Sequence, residues 1–170
     1  LGNVNYVKKV VFPLEILPVI QLVAAAFHGL VSVVVLLVAK LLFTGSVPVT
    51  ALFFPLVIFP LLILILGLSW ALASLGVFAR DVGQTIGLIT SVMLFMSPVF
   101  FPIKSLPEPL QPWMRLNPLT FMIEQVREVL VWGHMPQWSG LLLYGVISLG
   151  VAWLGFSWFQ KTRKGFADVL

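Results

Sequence analysis

The chain contains no cysteine among its 170 residues. Disulfides, thiol chemistry and thiolate metal sites are therefore excluded. Charge is almost as scarce: Asp, Glu, Lys and Arg make up 9% of the chain, against roughly 25% in soluble domains. The net charge of +4 is small and scattered, with no basic run interleaved with aromatics, so nucleic acid is not an expected partner. There is no G-x-x-x-x-G-K-[ST] phosphate loop, so ATP is not bound by that route. Within the apolar stretches there are no paired carboxylates, no clustered histidines and no nucleophile beside a base, which argues against an embedded enzyme and against a metal site. No charged n-region precedes a short apolar stretch at the start, as a signal peptide would show. Opening on Leu1 in a polar lead-in, the chain is expected to be a fragment.

Apolar residues supply 60% of the chain, above the roughly 45–50% of soluble domains. They are gathered into four runs without Asp, Glu, Lys or Arg: residues 16–39, 41–79, 82–103 and 129–160. Crossing about 30 Å of hydrocarbon takes roughly 20 such residues in a helix. The expected fold is an all-α integral membrane protein with four spanning helices, near residues 19–43, 50–78, 82–97 and 138–159. Pro55 and Pro60 should kink the second and free backbone groups that neighbours must re-satisfy.

The separators carry the local signals. Thr44, Gly45, Ser46, Val47 and Pro48 read as a tight turn. Asp81 with Gln84 fits a capping box at the start of the third helix. Six of the 12 prolines, Pro98, Pro102, Pro107, Pro109, Pro112 and Pro118, then exclude a continuous helix. Asn117 and Pro118 read as an N-cap and first helical residue, and Gly133 as a C-terminal cap. Between them Leu119, Met122, Ile123, Val126 and Leu130 follow helical spacing, with Thr120, Glu124, Arg127 and Glu128 on the opposite face. This amphipathic helix is too short and too charged to span. After a proline-broken loop it is expected either to expose a solvated face or to re-enter the membrane, where irregular backbone survives only when shielded or lining a water-filled cavity.

Four spans put both ends on one side, with Lys8, Lys9, Arg80, Lys161, Arg163 and Lys164. The other side holds Lys40, Lys104, Arg115 and Arg127, the last three in one long loop. The positive-inside rule then places both ends in the cytoplasm. Gly67, Ser69, Ala71, Ala73, Ser74 and Gly76 would let helix backbones approach, for packing within the chain rather than a dedicated dimer seam. His28 is expected to make an interhelical hydrogen bond. Phe100, Phe101, Trp113, Phe121, Trp132 and Trp138 read either as an interfacial belt or as rings facing a pathway, where they would stack on sugar faces.

Four motifs in order carry a resemblance. They are Lys8-Lys9-Val10-Val11-Phe12-Pro13-Leu14-Glu15-Ile16-Leu17-Pro18, Phe78-Ala79-Arg80-Asp81-Val82, Ser97-Pro98-Val99-Phe100-Phe101-Pro102, and Asn117-Pro118-Leu119-Thr120. Together they resemble the membrane permease of bacterial ABC exporters for lipid-linked polysaccharides such as O-antigen, capsule and teichoic acid. The closing residues 159–168 are most similar to the O-antigen branch. The resemblance covers nearly the whole chain and implies six spanning helices, of which these four would be the third to sixth in a single permease domain over 1–170.

The resemblance also implies roles. Residues 8–18 would form a cytoplasmic coupling region docking into a separate ATPase subunit, with Phe12 and Leu14 as apolar anchors, Pro13 fixing the backbone, and Lys8, Lys9 and Glu15 pairing with charges. Arg80 and Asp81 would make a second, smaller contact. Residues 98–133 would be an outer gate of short re-entrant helices, with Phe100, Phe101, Trp113, Phe121, Glu124 and Arg127 as pathway candidates. The implied assembly is a homodimer with two ATPase subunits in the bacterial inner membrane, exporting a polyprenyl-diphosphate-linked glycan. ATP and Mg belong to the partner, and this chain binds no cofactor and is no enzyme. Two rivals stand: an exporter of the same fold for drugs or small lipids, and a glycosyl- or prenyl-transferase. The transferase would need acidic clusters for a metal-diphosphate, which Glu15 and Asp81 alone do not supply.

Overall fold

A computed structural model describes residues 13–79, 81–99, 103–105 and 107–165. Among the described residues there are helices and turns and no strand. The first helix, α1, runs Ile16–Thr44; at 29 residues it is about 43 Å long, ample for a span. It stops where Gly45 takes the left-handed conformation at φ 71° and returns its N–H to the Leu41 carbonyl. Gly there avoids the steric cost a side chain would bring. A 3-10 turn at Val49–Phe53 leads into α2, Phe54–Phe78. Pro55 occupies the first turn of α2, where no hydrogen bond is lost, and Pro60 lies inside the helix. The last long helix, here α6, runs Trp138–Thr162.

α2 and α6 form the spine. Their contacts rise together along both sequences, so the two helices run parallel. Phe53 meets Trp138 edge-on at 5.6 Å between ring centres, and Trp70 meets Phe156 at 4.9 Å. The hydroxyls of Ser74 and Thr162 lie 2.6 Å apart. Midway, Gly67 faces Ala152 and Gly155 backbone to backbone: a Cβ on Gly67 would come within 2.5 Å of Ala152 Cα. In lipid no hydrophobic drive pulls apolar helices together, and an interhelical hydrogen bond contributes only about 0.6 kcal/mol on average. Close backbone packing therefore carries this interface. Gly67 and Ser74 are used within the chain, as the small-residue pattern led one to expect.

α1 runs the opposite way to α2. Its start meets Trp70 through Glu15 and its last turns meet Leu130 and Val131 through Lys40. Apart from Pro18, no residue of α1 is buried. Glu15 at the start of α1 bonds Arg163 at the end of α6. The two ends of the described chain thus lie together, which agrees with an even number of crossings.

The third apolar run departs from the four-span expectation. Its helix, α3, covers Val82–Phe95, 14 residues or about 21 Å, so among the described residues three helices rather than four reach spanning length. Pro98 explains the early stop, because the residue before a proline is pushed away from the helical region. The freed Met93 carbonyl is taken by side chains, Ser97 Oγ at 2.6 Å and Asn117 Nδ2 at 3.0 Å. The capping box at Asp81 does not form. Asp81 is already helical at φ −75°, ψ −14°, and its carboxylate makes no cap bond. An N-cap needs an extended backbone to turn its side chain onto the first-turn N–H groups.

Short elements fill the space between α3 and α6: turns at Ile103–Ser105 and Glu108–Leu110, α4 at Gln111–Arg115, α5 at Pro118–Arg127, and one π turn at Glu128–Trp132. Met122 and Val129 of this short-helix unit join Val57 and Leu141 in the buried core. The core sits at the Lys40 end of the spine, under the short helices.

Gly155→Ala should disrupt the spine, because its methyl would meet the Gly67 carbonyl. A loss of about 1–3 kcal/mol, typical of overpacking, is expected as a lower melting temperature in detergent. Gly150→Ala meets nothing within 4 Å and should melt like the parent; equal melting of the two variants would refute the backbone contact.

Candidate functional site

The short-helix unit begins at a well-formed cap. Asn117 is extended at φ −71°, ψ 121°, and its side-chain oxygen accepts the Leu119 N–H at 3.0 Å. The same amide donates to Met93 O and to Ser97 Oγ at 2.9 Å. One side chain thereby closes both the end of α3 and the start of α5. Thr120 Oγ1 donates to Met114 O at 2.6 Å, folding α4 onto α5. Thr120 is 2% exposed, so this residue faces inward rather than sharing a solvated face with Glu124, Arg127 and Glu128.

Three further donors tie this unit to the elements around it. Arg127 Nη2 donates to the carbonyls of Pro98 and Val99, just past α3. Thr50 Oγ1 donates to Val129 O at 2.8 Å, and Lys40 Nζ donates to the carbonyls of Leu130 and Val131. The Glu128 carbonyl receives the N–H groups of Gly133 and His134, with Gly133 at φ 77°. The π turn thus ends with the carbonyls of Glu128, Val129, Leu130 and Val131 all satisfied, half of them by one cation. His134 Nδ1 also contacts the Glu128 carboxylate. Gln125 Oε1 accepts the Gln137 N–H at 2.7 Å and pins the entry to α6.

Beside this unit lies an open groove of about 350 Å³ lined by Thr90, Ser91, Leu94, Ser97, Leu119 and Ile123 among others. Its hydroxyls donate to their own helix, Thr90 to Ile86 O at 2.9 Å and Ser91 to Gly87 O at 2.8 Å. Helical spacing puts Gly83, Gly87, Thr90, Ser91 and Leu94 on one face of α3, which none of the described residues buries.

At the opposite end, Trp70 Nε1 donates to the Glu15 carbonyl at 3.0 Å, and Arg163 Nη1 reaches both Glu15 carboxylate oxygens at 3.2 and 3.3 Å. Of the expected coupling residues, Pro13 is exposed, Leu14 and Glu15 are half-buried and Asp81 is exposed, while Lys8, Lys9, Phe12 and Arg80 lie outside the described residues. Of the expected pathway residues, Trp113 is exposed. Phe121 stacks on Tyr144 at 6.0 Å and abuts Gly140, and Glu124 is half-buried on α5. Phe100 and Phe101 lie outside the described residues. His28 bonds the Ala24 carbonyl of its own helix at 2.8 Å instead of a neighbouring helix, because α1 is exposed around it. Sequence reasoning gave no role to Trp70 or Thr50 and read Lys40 and Arg163 only as orientation charges. For Lys40 the signal was there: it is the one Lys, Arg, Asp or Glu within α1.

Asn117→Ala should cost roughly 1–2 kcal/mol through the cap alone, and more through the two donors it removes. Asn117→Ser keeps a capping oxygen but cannot span to Met93 and should fall between. Hydrogen exchange at the amides of Leu119 and Ser97 separates the two losses; an unchanged exchange pattern in the alanine variant would count against the shared closure.

Comparison with known proteins agrees with this architecture. Residues 2–131 match the family model described as ABC-2 type transporter, membrane. The O-antigen export system permease protein RfbA of Klebsiella pneumoniae is 26% identical over 173 residues, covering 100% of this chain and 66% of the relative. A second Klebsiella pneumoniae protein of that name is 25% identical over 172 residues, with the same coverage. The RfbA protein of Myxococcus xanthus is 23% identical over 162 residues, 94% of this chain and 62% of the relative. The chain thus spans 62% to 66% of the length of these relatives. By the family match across most of its length, the chain belongs to the ABC-2 type transporter membrane family.

Proposed function

We propose that this chain is the channel-forming part of a permease that exports a polyprenyl-diphosphate-linked polysaccharide across the bacterial inner membrane, driven by a separate ATPase subunit. One observation carries the reading: its similarity to O-antigen export permeases extends over the whole chain. The unburied hydroxylated face of α3 supports it, since small and hydroxyl side chains facing lipid gain nothing, whereas beside a glycan they supply acceptors. The short α3 supports a re-entrant outer unit over 98–133. A chain that turns after about 21 Å has not yet crossed 30 Å of hydrocarbon, and its backbone must be satisfied by protein.

In this reading the working unit is a homodimer with two ATPase subunits, and both ends of the chain are cytoplasmic. Residues 8–18 dock on the ATPase. Closure of the ATPase pair on ATP and Mg pushes this region. Glu15 carries the push to Trp70 on α2 and Arg163 at the end of α6, one on each helix of the spine at the same end. Hydrolysis stays in the partner, and this chain moves its cargo without chemistry. The rival cargo, a drug or small lipid, is separated by phenotype: deletion should abolish surface polysaccharide, and normal polysaccharide would favour the rival.

Charge reversal at Lys8 and Lys9 in the full-length permease should reduce co-purification of the ATPase about tenfold or more, a loss of roughly 1.4 kcal/mol. Arg163→Ala should leave co-purification intact yet lower export, because it cuts the link between Glu15 and α6. Undiminished ATPase recovery after the double reversal would sink the docking role.

A further inference from the structure

We propose that Lys40 is a latch on the short-helix unit and that a lipid phosphate is the ligand that releases it. The inference rests on the export reading only for the second of its two phosphate sources. Four observations converge on it. Lys40 is the single Lys, Arg, Asp or Glu in α1, and it lies 24 residues, about 36 Å, beyond Ile16. With the Glu15–Arg163 pair at one headgroup layer, that rise brings Lys40 to the opposite one, where lipid phosphates lie.

The cation is also not neutralised. Among the described residues the ion pairs are Glu15 with Arg163 and Glu128 with His134, and the partners of Lys40 are two neutral carbonyls. Those carbonyls close the π turn. The Val129 carbonyl is held by Thr50 and the Glu128 carbonyl by the N–H groups of Gly133 and His134, so these groups are already engaged elsewhere in the turn. Leu130 is 1% exposed, and its carbonyl has little access to water when Lys40 leaves.

The chemistry follows from these contacts. An ammonium bonded to phosphate forms a charge-assisted hydrogen bond roughly twice as strong as a neutral one. A ligand shifts a two-state equilibrium only by its differential affinity for the states. The two carbonyls use two of the three Lys40 donors, so a phosphate that takes more than the one left over competes with them, and its binding favours the released state. The turn at Glu128–Trp132 then loses its tether to α1, while Arg127 still ties α5 to the end of α3. The phosphate is either a glycerophospholipid headgroup or the diphosphate of a lipid-linked cargo.

The test uses the full-length permease with its ATPase subunit in maltoside micelles, which carry no phosphate. The 170 residues lack cysteine, so labels at Phe43→Cys and Trp132→Cys, both well exposed, report the α1-to-turn distance within this region. A single short distance within each protomer is expected in micelles, beside longer ones between protomers that a dilution with unlabelled permease removes. Farnesyl diphosphate should add a population longer by about 5 Å, one helical turn, and farnesol should not. Lys40→Gln should show the long population with no addition, and Lys40→Arg the short one. Thr50→Val, which keeps the cation, should still respond. Response to short-chain phosphatidylglycerol as well assigns the trigger to any lipid phosphate, and response to farnesyl diphosphate alone assigns it to the diphosphate. An unmoved distance in every phosphate arm, or a Lys40→Gln protein that behaves like the parent, overturns the latch. None of these probes carries a glycan, so that failure would leave polysaccharide export to the deletion strain.

Discussion

A helix that stops inside a bilayer leaves carbonyl oxygens where water cannot reach them, and each must find a donor in the protein. The break after α3 and the end of the π turn each leave carbonyls that side chains take, about 40 residues apart. Most of these side chains come from outside the local turn; Ser97, four residues past Met93, is the local one. Asn117 and Ser97 serve Met93, Arg127 serves Pro98 and Val99, Thr50 serves Val129, and Lys40 serves Leu130 and Val131. Because these donors sit on α1, on the turn before α2 and on α5, satisfying the backbone also ties the short-helix unit to the spans around it.

The two ends of the molecule are held by different physics. Along the spine, Gly67 and Gly155 bring backbones into contact, an arrangement with no room for an added methyl. At the short-helix unit, side chains on flexible stems hold carbonyls that other partners are able to replace. A rigid parallel pair with a side-chain-held cluster at one end would suit the proposed export, with force entering near Glu15 and motion near Lys40.

Much of this was legible in the residues. The turn at Gly45, the cap at Asn117, the stop at Gly133 and the proline break each depend on one or two residues with strong local preferences, and each is found where those preferences put it. Asp81 failed because a capping signature states which side chain is available and not which backbone conformation it will occupy. His28 failed because a polar side chain on an unpacked helix finds its own i−4 carbonyl first. The third span came out short because hydropathy counts apolar residues without registering that Pro98 ends the helix among them.

By itself the sequence determined the membrane as solvent, the number of apolar runs, where they turn, and the side-by-side placement of the two ends of the described chain. These follow from composition, length and single-residue backbone preferences, all of which act locally. Only the tertiary structure decided that α2 and α6 run parallel in backbone contact, that Phe121 packs on Tyr144, and that Lys40 closes a turn 90 residues away in sequence. Such pairings depend on which faces meet once the helices assemble. In a run where almost every residue is apolar, no periodicity marks one face from another.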